Sequence, residues 1–318
     1  MRVRFGYVAI ALNVPQGSPN KTITVKTIEK IPDHTIRNNR LRLILEENLH
    51  TTLRILRYNV AHDIHVYRLT SKTVPLATHP ITTGWNYIED FQDEWREIGD
   101  MIKKHNMRIS AHPDHYTLLN SQKSEVLESA LRDLDYHVSL FKALGLSPAP
   151  QLVLHIGGLY NNKQTSIARF INTFNQLPEG IRLRLMLEND DKSYSAIDVL
   201  TLCQHLNCPM VLDIHHHTCH NNGEDLAHLW PDIVNTWGNS VPKIHASSPK
   251  NSKDFRSHAD FVQVNAFLPF LKTAKELNRD FDVMVEAKQK DVAMFHLLDE
   301  LEKIPGVKRV GNATIEYL

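Results

Sequence analysis

Seven histidine and carboxylate side chains stand at or just after the ends of short apolar segments in this chain. In chain order they are His112, His155, Glu188, Asp213, His216, His245 and Glu286. Imidazole and carboxylate groups bind catalytic divalent cations, and histidine is the commonest metal ligand. One such residue alone is usually a hydrogen-bonded structural group. Several carboxylates buried together at one site without metal would carry a large desolvation cost. The set therefore predicts a metal site, which also gives a role to an excess of histidine, 19 residues in all.

The types of ligand restrict the metal and its role. A mixture of imidazole and carboxylate favours zinc, manganese or iron over calcium and magnesium, which prefer oxygen. The three cysteines, Cys203, Cys208 and Cys219, do not stand at these segment ends and form no C-x-x-C pair. A closed thiolate zinc site is therefore disfavoured, and open coordination positions would remain for catalysis. The odd number of cysteines favours a reducing compartment.

Lys243 precedes His245 by two residues in an extended segment, so the two side chains share one face. An ammonium group beside a metal-binding histidine would repel the cations. Lys243 therefore either pairs with a carboxylate or phosphate, or is modified. One hypothesis is a carboxylated amine that serves as a further anionic ligand.

Eight apolar or β-branched segments alternate with stretches of helical period and must position these residues. They span residues 3–7, 65–69, 107–111, 152–156, 183–187, 210–213, 243–246 and 281–286. This alternation predicts an α/β fold with a parallel sheet, and eight such units close a TIM (β/α)8 barrel, whose sites lie at the carboxyl ends of the strands. With no internal repeat and no linker, residues 1–318 are expected to form a single domain. The longest irregular stretch is 13–40, a βα loop expected over the catalytic face.

Composition limits the class of partner. Lys plus Arg and Asp plus Glu number 36 each, so the formal charge is zero and any nucleic-acid surface must be local. No apolar run approaches membrane-spanning length, so no membrane partner is expected. The N-terminal segment MRVRFGYVAIALN resembles a secretory signal, but its apolar stretch is short. A soluble, cytoplasmic protein is therefore expected.

Nine short motifs follow one another along nearly the whole chain, mostly at the ends of the predicted strands. They are FGY, VPLATHP, HPDHY, HIGG, LENDD, DIHHH, PKIHASSP, RSHAD and EAKQKD. In this order they are specific, and through them the chain resembles the UV-damage endonucleases, TIM-barrel DNA repair nucleases related to the metal-dependent apurinic endonucleases. The resemblance implies a metal-dependent enzyme that acts on damaged double-stranded DNA.

The same resemblance implies a site of up to three divalent ions, with manganese as the expected metal, although the residues alone leave zinc and iron open. It assigns His112, His155 and Glu188 to one ion. It assigns Glu188, Asp213, His245 and Glu286 to a second. It assigns His216, Lys243 and His258 of RSHAD to a third, and it puts Glu188, Lys243 and His245 at the catalytic centre.

The implied reaction is a nick immediately 5′ of a cyclobutane pyrimidine dimer or a 6-4 photoproduct, and also at abasic sites. Water attacks phosphorus in line, leaving 3′-hydroxyl and 5′-phosphate ends. A lesion must be turned out of the duplex to reach a barrel mouth, and the family wedges a glutamine and an aromatic residue into the gap. His115 and Tyr116 stand at those positions, and His115 departs from the glutamine pattern. Tyr7, Asn13 and His79 are the other implied lesion-binding residues.

Two other functions fit parts of the pattern. A metal-dependent sugar isomerase or epimerase shares the barrel and a His, Asp and Glu site but usually needs fewer ions. A damage-binding protein without catalysis would require a broken ligand set, and none of the seven positions is broken. A nuclease acting at one site needs no partner subunit, so a monomer is expected.

Overall fold

The structure is a computed structural model that describes residues 1–318. Eight parallel strands form its centre. The strands are β1 (Arg2–Val8), β2 (Val66–Arg68), β3 (Arg108–Ser110), β4 (Leu152–His155), β5 (Leu185–Glu188), β6 (Met210–Asp213), β7 (Lys243–Ala246) and β8 (Phe281–Val285). Each lies within two residues of its predicted bounds, and β6 and β7 match them. Their mostly apolar sequences fit strands covered on both faces.

The eight strands close into a ring. Hydrogen-bonded neighbours run in the order β3-β2-β1-β8-β7-β6-β5-β4. An isolated parallel bridge between Ala111 and Leu152 links β3 to β4, with the Ala111 amide 2.8 Å from the Gln151 carbonyl oxygen. This is the predicted α/β TIM barrel, and it brings the carboxyl ends of all eight strands to one mouth.

Helices surround the ring. They are α1 (Val25–Ile28), α2 (His34–Ala61), α3 (Tyr87–Asp90), α4 (Gln92–Lys104), α5 (Ser124–Ala143), α6 (Lys163–Gln176), α7 (Glu179–Arg182), α8 (Ala196–Leu206), α9 (Ile214–Cys219), α10 (Leu226–Asn235), α11 (Val264–Leu277) and α12 (Lys290–Leu301). In α2, Leu45, Leu49, Leu53 and Leu56 are buried. These steps of three or four residues place them on the face that packs on the barrel.

The irregular stretch after β1 is shorter than predicted. The expected loop reached residue 40, but α2 begins at His34, where the Asp33 side chain accepts a hydrogen bond from the Ile36 amide. An aspartate at this position satisfies an otherwise free amide at a helix start. The prediction missed this signal because the prolines upstream dominated the pattern.

A C-terminal hairpin packs beside the amino end of β1 and was not predicted. It consists of β9 (Val307–Gly311) and β10 (Thr314–Tyr317), and β10 pairs antiparallel with the first residues of β1. Ile315 on β10 is completely buried. The hairpin therefore lies at the amino end of β1, away from the mouth.

No helix in the structure combines the length and the apolar character that crossing a bilayer requires.

Candidate metal centre

Glu188, at the end of β5, lies at the centre of the barrel mouth and is shared by three groups of candidate ligands. Within each group, one ligand atom per residue lies within 4.8 Å of the others. The groups are His112, His155 and Glu188; Glu188, Asp213 and His216; and Glu188, His245 and Glu286. All seven strand-end residues of the sequence analysis are thus brought together.

The Glu188 carboxylate is almost completely buried and contacts a histidine on each side. Its Oε2 lies 3.0 Å from His112 Nε2 and 3.5 Å from His155 Nε2. Its Oε1 lies 2.7 Å from His245 Nδ1, which is also 3.0 Å from Glu286 Oε1. Two oxygens facing different imidazoles suit a carboxylate that bridges two ions.

The electrostatics favour bound positive charge. Burial raises the pKa of Glu188, but the charges of His245 and His155 and a hydrogen bond from His112 lower it more, so the carboxyl stays ionised. Burial lowers the pKa of His245, yet Glu188 and Glu286 raise it to about 9. Without another cation, the carboxylates hold protons on neighbouring imidazoles, and a divalent ion could take the place of that positive charge.

Among the seven candidate ligands, two buried atoms have no hydrogen-bond partner, and both are of types that coordinate cations. They are Asp213 Oδ2 and His245 Nε2, on side chains with no exposed surface. Leaving such atoms unpaired in the protein interior is costly. The other Asp213 oxygen accepts the His216 amide at 2.8 Å. The residues present therefore fit divalent metal ions.

Neighbouring groups orient these ligands. The Asn189 side chain fixes the backbone of Asp213 through two hydrogen bonds. Asn189 Nδ2 donates to the Asp213 carbonyl at 3.0 Å, and the Asp213 amide donates to Asn189 Oδ1 at 2.9 Å. The Asn189 carbonyl also lies 2.9 Å from His216 Nδ1. Such partners set the tautomer and ring orientation of a ligating histidine.

Arg68 is a site residue that the sequence analysis missed. It ends β2, and its Nη1 donates to Glu286 Oε1 at 2.5 Å. It is 8% exposed, so this ion pair is largely shielded from water. The sequence did offer a signal for Arg68, because it is the polar residue at the end of the second strand. Arginine was overlooked because it is not a metal ligand.

His258 lies at the edge of the centre rather than within one of the three groups. Its Nδ1 is 3.9 Å from Glu286 Oε2, and its ring lies 6.2 Å from that of His216, centroid to centroid. An isolated bridge between Pro249 and His258 folds the loop back toward the mouth. His216 thus lies close to Asp213 and Glu188 and also to its implied partner His258.

Lys243 is fully buried at the start of β7, and its Nζ has no hydrogen-bond partner. Burial and the positive charge of Arg108 lower its pKa well below the ordinary value, against the opposing charge of Asp282. Asp282 is itself bound by Arg4 and Arg108. Of the alternatives for Lys243, pairing with a carboxylate is not formed in this structure.

The implied lesion-binding residues have different environments. Tyr116 is 73% exposed on the loop after β3, with its ring 4.2 Å from that of exposed His115, centroid to centroid. Asn13 is exposed on the loop after β1, and its Nδ2 lies 3.2 Å from the Tyr58 hydroxyl. His79 lies beside a groove of about 560 Å³, and its Nδ1 accepts the Ile81 amide.

Tyr7 is placed in the core instead of on the surface. It is completely buried, and its hydroxyl donates to Asn59 Oδ1 at 2.6 Å. In this structure its ring offers no surface to a DNA base.

These features define a (β/α)8 barrel with a histidine and carboxylate centre at the carboxyl ends of its strands. The family model for UV-endonuclease UvdE matches residues 3–318. The chain belongs to this family.

Relatives and solved structures agree with this assignment. A UV DNA damage endonuclease of Bacillus thuringiensis subsp. konkukian is 43% identical over 319 residues, covering 100% of both chains, and one of Bacillus cereus strain B4264 has the same identity and coverage. The crystal structure of SacUVDE is 30% identical, with a TM-score of 0.84 over 95% of this chain and 98% of that one. Endonuclease IV from Thermus thermophilus, at 16% identity and a TM-score of 0.54 over 80% and 95%, shares the fold.

Proposed function

We propose that this protein nicks damaged duplex DNA immediately 5′ of UV photoproducts, leaving 3′-hydroxyl and 5′-phosphate ends. The substrates are cyclobutane pyrimidine dimers, 6-4 photoproducts and abasic sites. The observation that carries the proposal is the buried Glu188 carboxylate, shared by three ligand groups within one barrel mouth. Family membership supplies the class of substrate.

Up to three divalent ions, with manganese the expected metal, would occupy the three groups around Glu188. When bound, such ions supply a nucleophilic water near neutral pH and neutralise charge on the phosphate and the departing oxygen. The grouping of His216 with Asp213 and Glu188 differs from the one implied by resemblance, in which His216, His258 and Lys243 served one ion. His216 Nδ1 lies 3.8 Å from Glu188 and Asp213 oxygens, and the His216 ring lies 6.2 Å from that of His258, so the grouping with His258 and Lys243 stays a proposal.

The protein's own residues hold and orient this centre. Arg68 fixes Glu286 through its ion pair and keeps that carboxylate ionised. His245 lies between Glu188 and Glu286 and fixes their spacing. Lys243, with its unpartnered amine, is proposed to carry a carboxyl group that extends toward the centre. Density for a bare amine together with an intact mass lacking the carboxyl would contradict this modification.

Substrate engagement is assigned to the exposed loops of the mouth. Turning a lesion out of the stack costs a few kcal/mol, a cost that damage itself reduces. Tyr116 can fill the gap because its ring is exposed and supported by His115. Asn13 and His79 are proposed as polar contacts. Tyr7, which is buried, is proposed to act only through packing beneath the loop.

The whole chain is proposed to act as one domain and as a monomer. One connected cluster of 70 buried residues extends from Met1 to Ile315. All the candidate ligands come from this one chain, so the centre is complete without a partner subunit.

The decisive experiment is incubation with Mn²⁺ and a duplex that carries one thymine dimer. We expect a single nick immediately 5′ of the dimer, with ends that a ligase and a phosphatase identify as 3′-hydroxyl and 5′-phosphate. The matched undamaged duplex and a chelated reaction are the controls. Binding without cutting would overturn catalysis in favour of a damage-binding protein, and ketose formation from an aldose would favour an isomerase.

A further inference from the structure

The loop after β1 is a compact, internally bonded unit. The Val14 amide donates to the Ala11 carbonyl, and the Gly17 amide donates to the Val14 carbonyl, which makes two successive turns. The Ala11 amide in turn donates to the Gly17 carbonyl at 2.9 Å. A Cβ on Gly17 would lie 2.2 Å from the Ala11 oxygen, so only glycine permits this closure. The loop of residues 9–17 is therefore pre-ordered.

Asp291, at the start of α12, binds the tip of this loop. Its Oδ1 accepts the Leu12 amide at 2.6 Å, and its Oδ2 accepts the Asn13 amide at 3.2 Å. The Tyr58 hydroxyl donates to the same Oδ2 at 3.0 Å. Asp291 has no exposed surface and forms no ion pair, so these donors compensate its buried charge.

The loop is connected to the metal centre at its base. The Ala9 amide donates to the carbonyl of Arg68, and the Arg68 side chain binds Glu286. Asp291 follows Glu286 by five residues across the β8 to α12 junction. The loop is thus fixed at its base to Arg68, which binds a candidate ligand, and at its tip to Asp291 on the helix that follows β8. Its position relative to the centre is set before any substrate arrives.

At the tip, the loop presents an apolar side chain to solvent. Leu12 is 48% exposed, beside exposed Asn13, on the face that holds the mouth. We propose that Leu12 makes an apolar contact with a nucleobase or deoxyribose of the damaged duplex, and that Asp291 is the positioning residue that holds Leu12 in place. This inference rests on the proposed function and adds a specificity-determining residue to it.

The test compares Leu12→Ala with Leu43→Ala, a change at another exposed leucine, on the outer helix α2. We expect Leu12→Ala to raise KM for the dimer duplex about tenfold with kcat unchanged, because one desolvated apolar contact is lost. Leu43→Ala should leave both constants unchanged. An unchanged KM in Leu12→Ala, with the wild-type protein nicking normally, would overturn this inference while leaving the proposed function intact.

Asp291→Asn tests the positioning role. It keeps the side-chain volume but replaces one acceptor oxygen with a donor, so the tip should lose its fixed geometry. We expect Asp291→Asn to raise KM about tenfold, as Leu12→Ala does, with kcat and Mn²⁺ affinity by calorimetry unchanged. In the double variant, Leu12→Ala should raise KM almost no further than Asp291→Asn alone, because both changes remove the same contact between Leu12 and the duplex.

Fully additive effects of Leu12→Ala and Asp291→Asn in the double variant would refute the positioning role. A loss of Mn²⁺ affinity in Asp291→Asn would also refute it. If Asp291→Asn does not fold, Tyr58→Phe removes a single donor to the same carboxylate and is expected to raise KM without changing kcat. If the wild-type protein neither binds nor nicks the dimer duplex, the proposed function itself fails.

Discussion

Glu188 shows how one residue can organise a whole site. Its two oxygens face imidazoles from three different strand ends or loops, and it is 1% exposed. A buried carboxylate in contact with several histidines is stable only when positive charge is held nearby. The shared position explains why loss of this residue would affect all three ligand groups together.

Glu188→Gln should abolish nicking while largely sparing lesion binding. The amide preserves the shape but cannot bridge two cations, and losing even an outer-shell partner commonly costs about 10- to 100-fold in activity. We expect nicking of the dimer duplex to fall by more than about 100-fold, measured by gel assay. Fluorescence anisotropy with the same duplex measures binding, and retained nicking would remove Glu188 from the bridging role.

Tyr116→Ala should weaken discrimination between damaged and intact duplex. Base stacking on an aromatic ring contributes about 1–3 kcal/mol per base, and Tyr116 has no other evident role because its ring is largely exposed. The ratio of dissociation constants for the two duplexes is the measurement. Tyr116→Phe keeps the ring and is the control expected to retain discrimination. An unchanged ratio in Tyr116→Ala would exclude the wedge.

At the scale of elements, the two ends of the barrel have separate tasks. The carboxyl ends of the strands carry the candidate ligands, whereas the β9–β10 hairpin pairs with the start of β1 at the opposite end. Changes in the hairpin should therefore affect stability without touching the site. This separation is general for TIM barrels.

Ile315→Ala tests that separation. Ile315 has no exposed surface, and truncating such a side chain usually lowers the free energy of unfolding by about 2–5 kcal/mol. We expect a loss in this range by urea denaturation, with kcat for nicking unchanged at a temperature where the variant is folded. Val310→Ala, on the same hairpin but 47% exposed, should change stability by less than about 0.5 kcal/mol. A lower kcat for folded Ile315→Ala would show that the ends are coupled.

At the scale of the whole molecule, metal binding should contribute to folding stability. Ligands from β3 to β8 converge only in the closed barrel, so the unfolded chain lacks the site. A ligand that binds only the folded state at about 100 times its dissociation constant stabilises that state by about 2.7 kcal/mol. Without metal, the buried carboxylates depend on protonated imidazoles and on Arg68 for compensating charge.

Chelation should therefore lower the melting temperature as well as stop nicking. We expect Mn²⁺ to restore both in parallel, measured by calorimetric melting and by gel assay across one metal titration. Glu188→Gln should show a smaller rise in melting temperature with Mn²⁺ than the wild-type protein. Identical melting curves with and without metal, in protein stripped of bound ions, would contradict a centre of this kind.

The sequence by itself determined the barrel and the identity of the candidate ligands. Apolar segments of fixed spacing predict strands, and polar residues at their ends must meet at one mouth when the ring closes. Glu188 and Asp213 could be chosen in this way because both signals are local. The C-terminal hairpin could not, since its pairing with β1 joins segments about 300 residues apart.

Only the tertiary structure decided which ligands are neighbours and which residues support them. It placed His216 with Asp213, moved Tyr7 into the core, and revealed Arg68 beside Glu286. These facts depend on side-chain directions and on contacts between distant segments, which no local pattern encodes. The physical reason is that ligand chemistry depends on residue type, whereas grouping and orientation depend on distances set by the closed barrel.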